Sequence, residues 1–303
     1  MWIVLTFVAA LLWATTNYID KLLLSRLHVQ TGPSILILFS SVIAFFSVPL
    51  LFFFAPGIEV AMHTSTLLLA SIGVLYALGL YFYFLALQYD DTSTIIPFFQ
   101  LAPVITVILA YIFLHQHLGS QNIIAIIIVI VGGLLLSVDT RVGIRFRKEV
   151  VIYMLIASLC FAIGSVIFRG LATEDNFWNS WFWEQVGLAI FGIILLCIPG
   201  YRRTFVASMR SAFRSVSFLT INGVNETITL IGNGCIRFAS LLAPVGIVAV
   251  LSNAIQPVIV FIFGIALTLF FPHLIKENVE KKQLLHKVCA IIIMVIGSCY
   301  LRP

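Results

Sequence analysis

The sequence predicts an all-α polytopic membrane protein: ten transmembrane helices arranged as two inverted five-helix repeats. Three observations carry that prediction. Hydrophobic residues make up 61% of the 303 positions and charged residues 10%, against about 25% charged in a soluble chain. Apolar runs of about 20 residues, the length that crosses a bilayer, recur from one end to the other. Short motifs in the first five runs return in the same order in the last five. A mean hydropathy of +1.13 places most of the chain in hydrocarbon. The runs are too long for the alternating strands of a membrane barrel, so helices must satisfy the backbone.

Turn residues and charges mark out the ten spans in order. Span one (2–24) starts at Trp2 with no basic n-region and no small-residue cleavage site, which reads as a retained helix rather than a signal peptide. Span two (32–54) stops at Ala55-Pro56-Gly57, and span three (67–88) at the polar run from Gln88 to Asp91. Span four (93–114) closes at His115-Gln116-His117, and span five (120–138) at Asp139. Lys148 and Glu149 open span six (149–170); Pro199-Gly200 ends span seven (177–199). Span eight (215–236) lies between Arg214 and Arg237, span nine (242–271) ends before Pro272, and span ten is 284–301. No connection reaches the roughly 50 residues of a separate soluble domain.

The repetition groups these spans into units at 1–140 and 149–303. Ala125-Ile126-Ile127-Ile128 leading to Gly132 returns as Ala290-Ile291-Ile292-Ile293 leading to Gly297. Pro103-Val104-Ile105 returns as Pro257-Val258-Ile259, and Trp13, Asn17 and Lys21 align with Phe161, Ser165 and Arg169. Because five is odd, the two units must cross the membrane in opposite senses.

The five cysteines sit in apolar runs without metal-ligand or redox spacing and read as small hydrophobes. His115 and His117 bracket a short loop with no third ligand near, so no metal is expected. No sequence motif of nucleotide binding or hydrolysis occurs, which excludes the common enzyme classes and leaves no cofactor to expect. The net charge of +5 invites a nucleic-acid partner, but topology explains the basic residues better. Fourteen of the 17 Lys and Arg follow odd-numbered spans; the other three are Arg169, Arg237 and Arg302. Basic loops stay cytoplasmic, so the charges put both termini outside.

Span eight is the most informative. Asn222, Asn225, Glu226, Thr229 and Asn233 fall at i, i+3, i+4, i+7 and i+11, on one helical face. Polar groups facing lipid are costly, so the stripe must face protein or a water-filled cavity. Glu226, near mid-span, is the first candidate for a substrate- or proton-binding group; helix-to-helix hydrogen bonding is the alternative. Span one carries a second stripe of Trp13, Thr16, Asn17 and Asp20, the last close to a helix end beside Lys21. Span seven opens with Trp178, Trp181 and Trp183 around Glu184 and Gln185. Glu184 beside indole faces can hold an amine by charge and cation–π attraction, or can pair with Arg169. Tyr76 and Tyr83 share a face of span three; Gln100 in span four, with Asn253 and Gln256 in span nine, adds polar groups near prolines. Pro97, Pro103, Pro244 and Pro257 sit at repeat-related places, where broken helices point to a midplane site.

The chain resembles the ten-helix EamA-like branch of the drug/metabolite transporter superfamily. The resemblance lies in Trp13-Ala14-Thr15-Thr16-Asn17-Tyr18, Leu85-Ala86-Leu87, Pro103-Val104 and Gly132 of the first half. In the second half it lies in Ala243-Pro244-Val245-Gly246, Gln256-Pro257-Val258, Lys276-Glu277 and Gly297. It implies a secondary transporter without cofactors, in a cell (inner) membrane, with a central cavity walled by spans one, three, four, six, eight and nine and by the N-terminal half of span seven. The implied partners are a small-molecule substrate and the lipid bilayer, with the protein a monomer or homodimer. Family members generally keep both termini in the cytoplasm, opposite to the charge reading. The family often carries Glu just after span four, where this chain has His115-Gln116-His117. Exporter or exchanger of an amine or amino-acid-like metabolite is the first functional expectation. A flippase for a lipid or lipid-linked headgroup and a non-transporting structural subunit are the alternatives.

Overall fold

The computed structural model describes residues 1–27, 33–89, 98, 100–137, 148–213, 216–270 and 281–301. Among these residues there are eleven helices and no strand. They are α1 (Trp2–Leu27), α2 (Pro33–Phe54), α3 (Thr64–Tyr89), α4 (Leu101–Leu114), α5 (Ser120–Ser137) and α6 (Lys148–Leu171). α7 (Phe177–Cys197), α8 (Pro199–Phe213), α9 (Val216–Leu242), α10 (Val245–Phe270) and α11 (Lys281–Tyr300) follow. Six of them, α1, α2, α3, α6, α7 and α10, are long and apolar enough to cross a membrane. Shorter apolar stretches occupy α4, α5 and α11. α9 is long enough but less apolar, and the reason is its stripe of Asn, Glu and Thr. Pro97 and the side chain of Asp20 lie outside the described residues.

The outward faces are what lipid requires. Phe45, Phe46, Phe53, Ile112, Phe113, Ile124, Ile193 and Ile262 are exposed. On a soluble protein such apolar surface would drive aggregation; in a bilayer it costs nothing.

α3 packs most extensively on α6, and α1 on α9; α5 packs on α11 and α2 on α7. α4 lies against α6, and α10 against α1. Small residues set the closest approaches. Gly73 of α3 faces the Glu184 carbonyl of α7, and Gly187 of α7 faces the Ala70 carbonyl of α3, so a Cβ at either position would enter the other helix's backbone. Gly132 of α5 seats against Met294 of α11, and Gly297 of α11 against Val129 of α5.

Three expectations change. Arg237 does not end a span: α9 runs five residues further, to Leu242, and carries Arg237 inside the bundle. The stretch after span seven is not an open loop but α8, which buries Phe205 against Ile37 and Leu38 and leaves Arg202 and Arg203 exposed. Nor do the described prolines break helices four and nine in the expected way. Pro103 sits three residues into α4, where its missing N–H has no intrahelical partner to lose. Pro257 lies within an unbroken α10. The break falls at Ala243-Pro244, between α9 and α10. There Gln116 accepts a hydrogen bond from the Val245 N–H at 3.2 Å, satisfying one orphan donor of the new helix.

Candidate functional site

The polar residues converge where α2, α3, α7 and α9 meet. Ser40, Ile43 and Ala44 of α2, Gly73 and Tyr76 of α3, Glu184, Gln185 and Leu188 of α7, and Glu226, Thr229, Leu230 and Asn233 of α9 line one cavity. The free space between them is about 20 Å³. A water molecule needs about 10–15 Å³ of such space, so there is room for about one small group. A substrate larger than that enters only if the helices part.

Each wall is fixed by a contact its sequence explains. The 3.6-residue period puts Glu226, Thr229 and Asn233 on the inward face of α9, with Val224 and Ile231 exposed on the other. Gly73 lets α7 approach α3 closely enough for Glu184 and Gln185 to reach the same space as Tyr76. Ser40 donates its hydroxyl to Glu226 Oε1 at 3.2 Å, joining α2 to α9. Trp13 Nε1 donates to Asn233 Oδ1 at 3.1 Å, and Asn233 Nδ2 donates to the Tyr76 hydroxyl at 3.5 Å. That chain of two bonds ties α1, α9 and α3 together at the cavity wall.

Glu184 is held from behind the cavity. Arg237 Nη2 reaches its Oε1 at 2.7 Å, and Nε lies 3.2 and 3.1 Å from the two carboxylate oxygens. Arg237 Nη1 donates to Ser165 Oγ of α6 at 3.3 Å, and the guanidinium lies 5.1 Å over the Phe168 ring. Side-chain exposures of 12% and 8% make this a buried pair. The forked contact suits a guanidinium, whose planar donors match a carboxylate.

The structure thus brings together Glu226, Glu184, Thr229, Asn233 and Tyr76 as lining residues, with Trp13 one bond behind. Asn225 is buried and Asn222 half-buried on α9, and neither lines the cavity. The remaining candidates go elsewhere. Asn17 is exposed on α1. Tyr83 packs with Ala86, Val150 and Met154. Gln100 is buried at the start of α4 against Gly133, Asn253 donates to the Ala249 carbonyl of its own helix, and Gln256 is half-buried away from the cavity. Only Asn253 among them is seen to serve its own backbone, and Gln100 keeps a buried Oε1 without a hydrogen-bond partner. The expected partner Arg169 does not reach Glu184, and its buried Nε has no hydrogen-bond partner.

Among the described residues, spans one, four, six and nine, expected as cavity walls, contribute no lining residue; span two does. Ser40 was invisible in the sequence because one hydroxyl in an apolar run looks like any small packing residue. Arg237 was missed because a charge near an apolar boundary resembles a loop. Gln185 was read as a neighbour of Glu184 and not as a site residue. Its signal is amide polarity in the middle of the Trp-rich stretch. Among the described residues no group of three or more His, Cys, Asp or Glu could hold a metal ion.

No curated protein matches the chain. A solved structure described only as the crystal structure of a protein is similar over 99% of this chain and 95% of that one, at 17% identity and a TM-score of 0.65. At that identity the likeness is one of fold. Residues 1–138 are similar to the model of the EamA-like transporter family.

Proposed function

We propose that the protein is a secondary-active transporter, an exporter or exchanger, that moves a small amine or amino-acid-like metabolite by alternating access. The observation that carries the reading is the polar cavity lined by two carboxylates, between helices whose outer faces are lipid-like. Ionisable groups at such depth are expensive and mark substrate or ion pathways. Glu226 binds the cationic group of the substrate or the exchanged proton, and Thr229, Asn233 and Tyr76 orient the rest. Glu184, neutralised by Arg237, shapes the wall. The chemistry is binding and translocation, without catalysis or cofactor.

The ten spans form two inverted units, 1–140 and 149–303. The family match ending at residue 138 supports that boundary. The paired packing supports the symmetry: α3 on α6 corresponds to α9 on α1, and α4 on α6 to α10 on α1. α3 packs extensively on α7, whereas the corresponding pair, α9 and α2, touches little. Rocking one unit against the other exchanges these two contacts and opens the cavity to the opposite side. A single chain encloses the cavity, so a monomer suffices and a homodimer holds two sites. The basic residues around α8 support a cytoplasmic position for that edge in a cell inner membrane, with both termini outside.

Proteoliposome counterflow tests the reading. Wild-type protein accelerates exchange of a labelled amine, and Glu226→Gln abolishes it. Full transport by the Glu184→Gln, Glu226→Gln double variant overturns the reading. An apolar groove of about 200 Å³ on the α2–α7 seam, lined by Phe45, Val48, Pro49, Val186, Ala189, Ile190 and Ile193, favours a lipid flippase as the second reading. Scrambling of a fluorescent lipid in the same vesicles, without saturation by soluble amines, is its signature.

A further inference from the structure

α8 is too short and too polar to cross a bilayer, and it carries charge without counter-charge. Its 15 residues, Pro199–Phe213, include Arg202, Arg203 and Arg210 and no Asp or Glu. Tyr201, Phe205 and Met209 fall at i, i+4 and i+8, and all pack into the cluster that holds Ile37 and Leu38 of α2. Phe205 meets the Phe39 ring edge-to-face at 6.0 Å between centroids, and Tyr201 is hydrogen-bonded to Tyr81 of α3. One face of α8 is thereby fixed to the bundle. The helical period turns positions 203 and 210, seven apart, to the opposite side. Arg202 and Arg203 are exposed, and among the described residues no carboxylate pairs with either. Val206, one turn further along, is an apolar side chain 43% exposed.

The depth of α8 identifies what the arginines meet. α2 starts at Pro33 and touches α8 through Ile37 and Leu38, four and five residues in, or roughly 6–8 Å along the axis. α8 therefore lies beside the end of a membrane-crossing helix, at the level where headgroups replace hydrocarbon. A helix there with one apolar face and an Arg-bearing one is the form that attracts anionic lipid. We infer that α8 is a docking site for anionic phospholipid headgroups, whose phosphates pair with the forked donors of Arg202 and Arg203. The occupant is a membrane lipid, because lipid phosphates are concentrated at this level and Val206 offers apolar contact that a soluble anion does not use. The site stands apart from the cavity, and its occupancy is independent of what the cavity carries.

The test is fluorescence quenching in phosphatidylcholine proteoliposomes that contain a minor share of doxyl-labelled phosphatidylglycerol or doxyl-labelled phosphatidylcholine. The reporter is a bimane at Val206→Cys in the full-length chain, with its five native cysteines replaced by alanine. The anionic lipid should quench about fivefold more effectively, the preference that one arginine near the membrane surface implies. Raising salt should shrink that preference, since the Debye length falls from about 10 Å at 0.1 M to about 3 Å at 1 M. Arg202→Gln with Arg203→Gln should remove most of it, whereas neutralising Arg141, Arg145 and Arg147, which lie outside α8, should leave it unchanged. Equal quenching by the two lipids with α8's arginines intact overturns the inference, and needs no arginine variant to fold. A preference that the Arg202, Arg203 variant keeps, or that the control variant loses, overturns it as well. Abolition of the preference by millimolar inorganic phosphate at constant ionic strength would assign the arginines to a soluble anion and overturn the lipid assignment.

Discussion

Replacing Glu184 with glutamine leaves the Arg237 guanidinium, 12% exposed, without its counter-charge inside the bundle. The carboxylate receives the guanidinium through Nη2 at 2.7 Å and Nε at 3.1 and 3.2 Å, while Ser165 takes only Nη1. Phe168 offers its ring face, a weaker partner for the charge. Breaking a buried pair by removing one partner typically costs about 3–5 kcal/mol, because the survivor remains desolvated. At about 2–4 °C per kcal/mol for large domains, the expected fall in melting temperature is roughly 6–20 °C. Arg237→Gln should cost a similar amount by stranding the carboxylate at the cavity wall. The double variant, neutral and still able to form an amide–amide hydrogen bond, should recover most of the loss. The resulting coupling energy should be at least about 2 kcal/mol. Intrinsic tryptophan fluorescence during heating provides the assay, since Trp181 and Trp183 pack in the same cluster as Phe168. Single variants within 2 °C of wild type, or a double variant equal to the sum of the singles, would refute the argument that the pair is buried and mutually dependent.

Other perturbations test other walls. Gly187→Leu places a side chain against the Ala70 carbonyl, so the α3–α7 crossing must separate; the expected cost is about 1–3 kcal/mol or more, read as lost monodisperse protein in size-exclusion chromatography. Gly200→Leu, which meets nothing within 4 Å, serves as its tolerated control. Trp13→Phe keeps the ring and deletes the donor to Asn233, which should lower stability by about 1 kcal/mol, measured by thermal unfolding, and slow amine counterflow. Ser40→Ala removes the hydroxyl from Glu226 and should lower amine affinity about tenfold, as loss of a hydrogen bond to a charged group does, measured by calorimetry. A cysteine at Arg203, exposed on α8, should react with an impermeant maleimide only from the cytoplasmic side; labelling of intact cells from outside would reverse the proposed orientation.

The helical class and most of the element boundaries were legible because lipid imposes a single rule, a long apolar run per crossing, and this chain obeys it plainly. The polar stripe of α9 was legible for the same reason: Glu226, Thr229 and Asn233 violate the rule at helical spacing. Pairing was less legible. Arg169 and Arg237 are both basic residues near span boundaries, and only the continuation of α9 to Leu242 brings Arg237, and not Arg169, onto Glu184. Periodicity also cannot tell a polar residue that serves its own helix from one that faces a cavity. Asn253 returns its amide to the backbone four residues earlier, and Gln100 settles against Gly133. Their residue types match those of the cavity wall, and only the packing separates them.

The low apolarity of α9 bears on how the protein is made. A segment carrying Asn222, Asn225, Glu226 and Asn233 partitions poorly into lipid alone, because polar residues at mid-helix oppose insertion by the translocon. Its principal neighbour is α1, which bonds it through Trp13 and is synthesised about 200 residues earlier. At about 5–20 residues per second, α1 waits roughly 10–40 s in the bilayer with its Asn233-binding indole unsatisfied. α9 is therefore expected to enter the membrane by docking onto helices already there, so that insertion and tertiary assembly of the second half are one event.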